Sequence, residues 1–365
     1  MASTYDTKKS FEQNWREGFS LPDAPTRILS PKKTWQQLFG YAVASPLGIA
    51  ACPLMSGNGI AQLSRFGFDI FTYKTIRSRA HPAHPAPNIA YVACDRALHH
   101  NDIQTSLYSA EHLHDSYALA NSVGNASFDP DETQTDIAYA KSQLHDGQLL
   151  IVSVYGSAQE KRTLAQDYCY TALLAQEAGA QVIECNVSCP NIPGAPPLYT
   201  ESEQLYGILQ PLIKQLRIPV IVKVGIHANY QQLHALLRSI AYAGAQGICG
   251  INTIPITLLN KQNRPFFGDN RAQCGLSGGP IRALALDWTQ QVRRIITQEQ
   301  LPLTLLSTGG VQQSEHFDLF LQAGADAALS ATGVILDPYI AMAWHKRKHE
   351  AHYQHTQGTD NAQTT

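Results

Sequence analysis

Eight short apolar segments recur along the chain, separated by longer stretches of polar or helix-period sequence. The segment Val220–Val224 reads Val-Ile-Val-Lys-Val, which is rich in β-branched residues and almost continuously apolar. Parallel strands that are buried on both faces have this composition. The predicted strands are Leu47–Ala51, Ile70–Tyr73, Leu149–Val154, Val182–Val187, Val220–Val224, Gly247–Ile251, Thr304–Ser307 and Ala327–Ser330. A chain with this many such strands is limited to a few α/β architectures.

Predicted helices lie between the strands and end in glycine. The three clearest are Glu160–Ala178, Gln231–Ala243 and Phe317–Ala323, each followed directly by glycine and alanine. A glycine just past a helix is a common helix stop, because it readily adopts the left-handed conformation. The repeated order of strand, helix, glycine and strand predicts an α/β fold of the (β/α)8 TIM-barrel type, and an open doubly wound sheet is the alternative.

Two stretches interrupt this rhythm, Arg77–Phe128 and Asn260–Cys274. The first contains three prolines and shows little helical period. In a barrel, long insertions at the carboxyl ends of the strands build the rim of the active site. We therefore predict an N-terminal extension over 1–40, one barrel domain with rim insertions over 41–350, and a disordered polar tail over 351–365.

Charge and cysteine content narrow the functional class. A net charge of −2 argues against binding to nucleic acid or to an acidic membrane surface, since both favour a basic excess. The chain has seven cysteines and no CxxC pair, which argues against a disulfide scaffold and against a zinc site, so no metal is predicted. No apolar run approaches the roughly 20 residues needed to span a bilayer, and no secretory signal opens the sequence. These features predict a cytoplasmic protein.

The most informative motif is Glu-Cys-Asn-Val-Ser-Cys-Pro-Asn at residues 184–191. It starts in a predicted strand and continues past the carboxyl end, where barrel strands deliver catalytic side chains. Cys189 then lies on a loop, and as a thiolate it could remove a proton from a substrate carbon. A buried, inert cysteine is the alternative. The flanking amides of Asn186 and Asn191, which can donate and accept hydrogen bonds, favour a site.

This motif resembles the signature of the class 1 dihydroorotate dehydrogenases, whereas class 2 enzymes carry serine where Cys189 stands. The resemblance extends from about Ser45 to His345. It implies FMN as the cofactor, (S)-dihydroorotate as the substrate and orotate as the product. It also implies that Cys189 takes the C5 proton while the C6 hydride passes to the flavin.

Two lysines at strand ends are candidate site residues. Lys74 ends the second predicted strand, and Lys223 lies within Val220–Val224. A buried ammonium group needs a ligand or a carboxylate, because burying its charge alone is costly. For Lys74 the alternative is a solvated rim position, and for Lys223 it is an internal salt bridge with Glu184. The resemblance implies that Lys74 contacts flavin and substrate, with Thr75 beside it, and that Lys223 stabilises reduced flavin.

Three glycine-bearing segments are candidate phosphate sites: 275–279, 307–310 and 331–333. Backbone N–H groups freed by glycine can surround a phosphate, and barrels often bind one after the last two strands. A simple turn is the alternative for any one segment. The resemblance implies that the FMN phosphate binds here, which designates Gly278, Gly309, Gly310, Ala331 and Thr332.

Four asparagines are candidate substrate ligands: Asn121, Asn186, Asn191 and Asn252. Amides can satisfy both the donor and the acceptor edges of a planar ring such as orotate. Taken singly, each also fits a turn or cap. By resemblance, Thr253 joins Asn252 at the substrate, and Ala51 lines the flavin. The sequence Asn125-Ala126-Ser127 departs from the family pattern, which bears on the exact substrate.

The predicted activity is therefore oxidation of dihydroorotate in de novo pyrimidine biosynthesis. A flavin domain of the dihydropyrimidine dehydrogenase type and a non-catalytic FMN-binding barrel are the alternatives. The electron acceptor is left open between fumarate, NAD through a partner, and quinone. A homodimer and a separate electron-transfer subunit are left open as well.

Two further patterns have ordinary explanations. Phe11, Trp15 and Phe19 recur every four residues and are predicted to pack against the barrel, with a membrane- or quinone-facing patch as the alternative. His345, His349, His352 and His355 fall at near-helical spacing, which favours a solvated helix end over a metal site.

Overall fold

The computed structural model describes residues 4–22, 26–27, 29–112, 118–188, 198–227 and 229–350. Its strands are β1 (Gln36–Leu38), β2 (Tyr41–Val43), β3 (Leu47–Ile49), β4 (Ile70–Ile76), β5 (Ile89–Ala93), β6 (Ser106–Ala110), β7 (Leu119–Asn121), β8 (Leu149–Val154), β9 (Val182–Asn186), β10 (Val220–Lys223), β11 (Gly247–Gly250), β12 (Ile254–Leu259), β13 (Gln273–Ser277), β14 (Thr304–Thr308) and β15 (Ala327–Ser330). Its helices are α1 (Phe11–Glu17), α2 (Gly57–Leu63), α3 (Pro130–Ser142), α4 (Leu164–Glu177), α5 (Ser202–Gln215), α6 (Tyr230–Ala243), α7 (Arg282–Gln298), α8 (Ser314–Gln322) and α9 (Thr332–Leu336). A last helical run covers 340–350.

Eight of these strands close into a parallel barrel in the order β3-β4-β8-β9-β10-β11-β14-β15, with β15 pairing back to β3. Helices alternate with the strands along the chain. Each barrel strand coincides with one of the eight predicted from sequence, so the predicted (β/α)8 barrel is confirmed and the open sheet is excluded. Parallel strands place their carboxyl ends at one mouth, which is where polar residues gather.

The helix ends follow the predicted glycine rule. Gly179, Gly244 and Gly324 all have positive φ, at 105°, 93° and 105°. The helix predicted from Glu160 begins instead at Leu164, because Thr163 and Gln166 form a reciprocal cap that fixes the first turn. Local capping chemistry, rather than apolar spacing, sets that boundary.

The two rim insertions form a second, five-stranded closed sheet in the order β12-β13-β7-β5-β6. We call these five strands the rim sheet. It joins two distant parts of the chain, since β13 pairs with β7 and β12 pairs with β6. The prediction of insertions at the rim is confirmed, but the sequence analysis did not anticipate that they contain strands.

A short hairpin of β1 and β2 covers the other end of the barrel. Leu38 and Val43 pack in one apolar cluster with inward-facing barrel residues such as Ile70, Leu149 and Ile221. The hairpin turn includes residue 40, so the two sides of the predicted boundary at 40 belong to one local structure.

The aromatic stripe of α1 packs inward, as predicted. Phe11 is 1% exposed and stacks near Phe128, with ring centroids 6.0 Å apart. Trp15 lies edge-on to Tyr73 at 6.0 Å, and Phe19 packs against the same core. Further upstream, the backbone N–H of Thr4 donates to the carbonyl of Ile335. The N-terminal segment is therefore part of the packed structure around the barrel mouth.

Candidate active site

One cavity opens at the carboxyl ends of the barrel strands, beneath the rim sheet. It encloses about 1100 Å³, the open mouth included. We call it the site cavity. Its polar lining residues are Lys74, Thr75, Asn121, Asn125, Asn186, Lys223, Asn252, Thr253, Ser277, Thr308 and Thr332. Its other lining residues are mostly glycine, alanine and isoleucine, so the cavity combines an apolar lining with a set of polar groups.

Lys74 reaches the site cavity from the end of β4 and is 8% exposed. Its ammonium group donates to the carbonyl of Thr75 at 3.3 Å and lies 5.9 Å from the centre of the Phe11 ring. Its backbone N–H donates to the carbonyl of Met55. The charge is held in a fixed place at the cavity rather than in solvent, which rules out the solvated rim position.

Lys223 reaches the cavity from the end of β10, and its ammonium group lies 3.9 Å from the carboxylate of Glu184 on β9. Glu184 is fully buried, and its oxygens accept no hydrogen bond from any described residue. Burial opposes the charge of Lys223, but its interactions with Cys249 and Glu184 outweigh that effect and raise its pKa. Burial also raises the pKa of Cys249 itself, and the ion pair of Lys223 is formed with Glu184. Lys223 therefore lines the cavity and also forms the salt bridge with Glu184 that was the alternative interpretation.

A chain of hydrogen bonds connects the amides across the barrel. Asn186 donates to the Thr75 hydroxyl at 3.2 Å and accepts from the hydroxyl of Ser188 at 3.0 Å. Asn252 donates to that same Ser188 hydroxyl at 2.8 Å. Asn121 donates to the carbonyl of Gly275 at 3.1 Å. Within the described residues, each of these three amides uses one of its two N–H donors.

Glycine turns follow the last strands. Gly309 and Gly310 come directly after β14 with φ of 124° and 87°, and Gly278 follows β13 with φ of 102°. All three line the cavity, and within the described part of the chain their N–H groups donate to no backbone or side-chain acceptor. Residues that carry a side chain rarely adopt such φ values. A Cβ on Gly310 would also lie only 2.6 Å from the Cβ of Arg282. The turns thus present free donors to the cavity.

Comparison with known proteins agrees with this geometry. The profile of the dihydroorotate dehydrogenase family matches residues 34–347. A dihydroorotate dehydrogenase of Dictyostelium discoideum is 37% identical over 93% of this chain and 96% of its own length.

The chain belongs to the dihydroorotate dehydrogenase family.

This membership confirms the predicted family and the predicted enzyme class, an oxidoreductase acting on a CH–CH bond. A second relative in the family, named dihydroorotate dehydrogenase A (fumarate) from Limosilactobacillus reuteri, is 32% identical over 45% of this chain and 51% of its own length. A crystal structure of the Eimeria tenella enzyme in complex with ferulenol superimposes with a TM-score of 0.70. It covers 89% of this chain and 85% of its own at 17% identity, so it supports the shared fold.

The site cavity brings together every described residue that the family resemblance designated. These residues are Ala51, Lys74, Thr75, Asn121, Asn186, Lys223, Asn252, Thr253, Gly278, Gly309, Gly310, Ala331 and Thr332. Cys189 and Asn191 lie outside the described residues. The individual roles of all these residues stay predictions.

The first glycine of the 275–279 segment has a packing role. In the 275–279 segment, Gly275 is a strand residue of β13, and a Cβ there would lie 2.2 Å from the Thr253 hydroxyl. That glycine is required for close packing beneath Thr253, not for a phosphate turn.

The apolar residues that line the site cavity were not predicted from the sequence. They include Ile89, Leu119, Ile251, Ile281 and Ile335. Their residue types are indistinguishable from ordinary core positions. The sequence offers one indication that such a residue lines the cavity, which is a position next to a motif residue. Ile251, for example, directly precedes Asn252.

No cluster of three or more metal-ligating side chains occurs among the described residues. His345 contacts the carbonyl of Gly67 at 2.8 Å, and His352 and His355 lie outside the described residues. None of the described helices is long and apolar enough to cross a membrane. The cytoplasmic location stays a prediction.

Proposed function

We propose that this protein binds FMN in the site cavity and oxidises (S)-dihydroorotate to orotate, a step of de novo pyrimidine biosynthesis. The observation that carries the proposal is the meeting of two buried lysines, Lys74 and Lys223, with three asparagines in one cavity. Buried ammonium groups favour a ligand that carries or develops negative charge. The relatives named dihydroorotate dehydrogenase support the choice of substrate.

The cavity has the donor set that FMN needs. The free N–H groups of Gly278, Gly309 and Gly310 suit a phosphate. Lys223 ends β10, which is separated from β14 by the single strand β11, and its ammonium group suits the electron-rich edge of a flavin ring. When bound, FMN supplies the hydride acceptor.

The chain's own residues would orient the substrate and move one proton. Within the described residues, the unused N–H donors of Asn121, Asn186 and Asn252 and the carbonyl oxygens of Asn121 and Asn252 suit a ring edged with carbonyl and N–H groups. Lys74 would hold the substrate against the flavin. A fixed orientation of this kind lowers the entropic part of the barrier.

We propose Cys189 as the general base that removes the C5 proton. Its neighbour Ser188 is buried and hydrogen-bonded to Asn186 and Asn252, two residues that line the cavity, which supports a base at the next position of the sequence. The described cysteine nearest the site, Cys52, has a pKa raised to about 11 by burial, so it is protonated at neutral pH. A thiolate base in this cavity therefore has to come from elsewhere, which supports Cys189.

Flavin bleaching tests the proposal directly. Purified protein should be yellow, release FMN on denaturation, and bleach under anaerobic conditions on addition of (S)-dihydroorotate. Bleaching by dihydrouracil instead would support the dihydropyrimidine dehydrogenase alternative. A yellow protein that neither compound bleaches would support a non-catalytic FMN-binding barrel, and a protein that binds no flavin would overturn the proposal.

The electron acceptor is tested by the same preparation. Steady-state turnover with fumarate, NAD and a soluble quinone should single out one acceptor. Turnover with NAD would require a separate electron-transfer subunit. Light scattering on the same sample tests the open question of a homodimer.

A further inference from the structure

Arg282 lies against the glycine turns at the phosphate end of the site cavity. It is the first residue of α7, and its guanidinium donates to the carbonyl of Gly310 at 3.3 Å. Its Cβ packs so closely on Gly310 that no side chain fits at that glycine. Gly310 itself lines the cavity. The cation is thus separated from the cavity by a single turn of backbone.

This cation has no anionic partner among the described residues. Arg282 forms no ion pair within the described ranges, and its pKa is lowered because burial disfavours its charge. Glu315, the carboxylate closest along the chain to the neighbouring turn, pairs with Arg347 instead. A half-buried guanidinium without a carboxylate favours an anionic ligand nearby.

The remaining neighbour of Arg282 is neutral. His316 has its pKa lowered to about 4, by burial and by the charge of Arg282. Its Nδ1 lies 3.3 Å from the guanidinium and accepts from the backbone N–H groups of Gln312 and Gln313. The ring braces the loop after β14 without adding charge, so Arg282 is the source of positive potential at these turns.

We propose that Arg282 is a positioning residue whose charge makes the site select flavin that carries a phosphate monoester over flavin that lacks one. This inference rests on the proposed FMN site and deepens it. Arg282 holds the Gly310 carbonyl away from the ligand, which leaves the free N–H groups of the glycine turn facing the phosphate. The guanidinium also offsets the negative charge of that phosphate through the thin backbone layer, where screening by water is weak.

The test compares FMN with riboflavin, which differ only in the phosphate. Dissociation constants of both are measured on flavin-free protein by flavin fluorescence. Replacing Arg282→Met should weaken FMN binding by about tenfold or more, the scale of a lost charge-assisted contact, and leave riboflavin binding unchanged. Arg282→Lys, which keeps the charge, should retain most of the FMN affinity. Arg293→Met on the same helix is the matched control, because Arg293 pairs with Asp326 and should affect neither ligand.

A third variant separates the effect of the Arg282 charge from that of its hydrogen bond to the Gly310 carbonyl. Arg282→Gln keeps a hydrogen-bond donor but loses the charge, so it should behave like Arg282→Met and show a weaker salt dependence of FMN binding than wild type. Wild-type affinity in Arg282→Gln, or an equal loss of FMN and riboflavin affinity in Arg282→Met, would overturn the inference. Failure of the wild-type protein to bind either flavin would overturn the proposed function instead. Circular dichroism confirms that each variant is folded.

Discussion

The ammonium group of Lys223 lies 3.9 Å from the carboxylate of Glu184, and both side chains are almost completely buried in the barrel. Each charge depends on the other, since removing one partner of a buried pair leaves an uncompensated charge. We expect Glu184→Gln to lower the free energy of unfolding by about 3 kcal/mol. Urea unfolding of flavin-free protein at pH 7 measures the change.

The double variant provides the control for this pair. Glu184→Gln combined with Lys223→Met removes both charges and should recover most of the lost stability, because an apolar or neutral pair tolerates burial. If the effects of the two single changes simply add in the double variant, the pair is not coupled and its buried-pair interpretation is wrong.

Asn186 should matter for catalysis through Ser188 and Thr75. Asn186→Ala removes the acceptor of the Ser188 hydroxyl and the donor to Thr75, so the Ser188 side chain keeps only its contact with Asn252. We expect a higher KM for dihydroorotate, a lower kcat, and a stability loss of about 1–3 kcal/mol from unpaired buried groups. Steady-state kinetics and urea unfolding measure both.

The matched control is Asn229→Ala at the start of α6, where the side chain caps the helix by accepting from Gln232. It should cost about 1 kcal/mol of stability without changing KM. Equal kinetic effects of the two variants would show that the Asn186 result reflects stability alone.

Cys189 should be needed for flavin reduction but not for flavin binding. We expect Cys189→Ala to slow anaerobic reduction by dihydroorotate by about 100-fold or more, the scale of a lost general base, while FMN stays bound. Stopped-flow absorbance measures the rate. Cys169→Ala in α4 is the matched control, because that thiol is buried in the helix layer and has a raised pKa. An unchanged reduction rate in Cys189→Ala removes this residue as the base.

His227 should contribute to acid instability. Burial lowers its pKa to about 4, and the ring of Tyr199 packs edge-on at 5.0 Å. A histidine with a depressed folded pKa stabilises the fold fully above its unfolded pKa of about 6.5, and this contribution is lost as pH falls through about 4. The loss is about 3 kcal/mol for a shift of this size.

We therefore expect His227→Gln to lose less stability than wild type between pH 7 and about pH 4, as measured by urea midpoints at each pH. His234→Gln, which removes a histidine paired with Glu299 at 3.2 Å on the outer layer, is the control. Parallel stability curves for His227→Gln and wild type would contradict the assignment.

The barrel could be predicted because its strands are continuously apolar and occur once per helix. All five residues of β9 are buried, and all four of β10, so their sequences contain few polar interruptions. The rim sheet could not be predicted, because its strands lack this signal. In β6, for example, no residue is fully buried, and its pairing with β12 depends on a segment about 150 residues away.

The same distinction applies to the site. Lys74, Asn186 and Lys223 could be identified because a polar residue at the end of a buried apolar strand is unusual. Ile89 and Leu119 could not, because an isoleucine or leucine facing a ligand has the same sequence pattern as one facing the core. The free charge of Arg282 was missed because its significance depends on the absence of a nearby carboxylate, which only three-dimensional neighbours reveal.

Two structurally separate parts of the chain line the site cavity. Lys223 and the turn of Gly309 and Gly310 belong to barrel strands, so altering them disturbs the frame that the barrel strands share. Ile89, Leu119 and Asn121 reach the cavity from a separate small sheet. Substitutions there can reshape that part of the cavity while the barrel keeps its form, so the wall of the cavity can vary without rebuilding the fold.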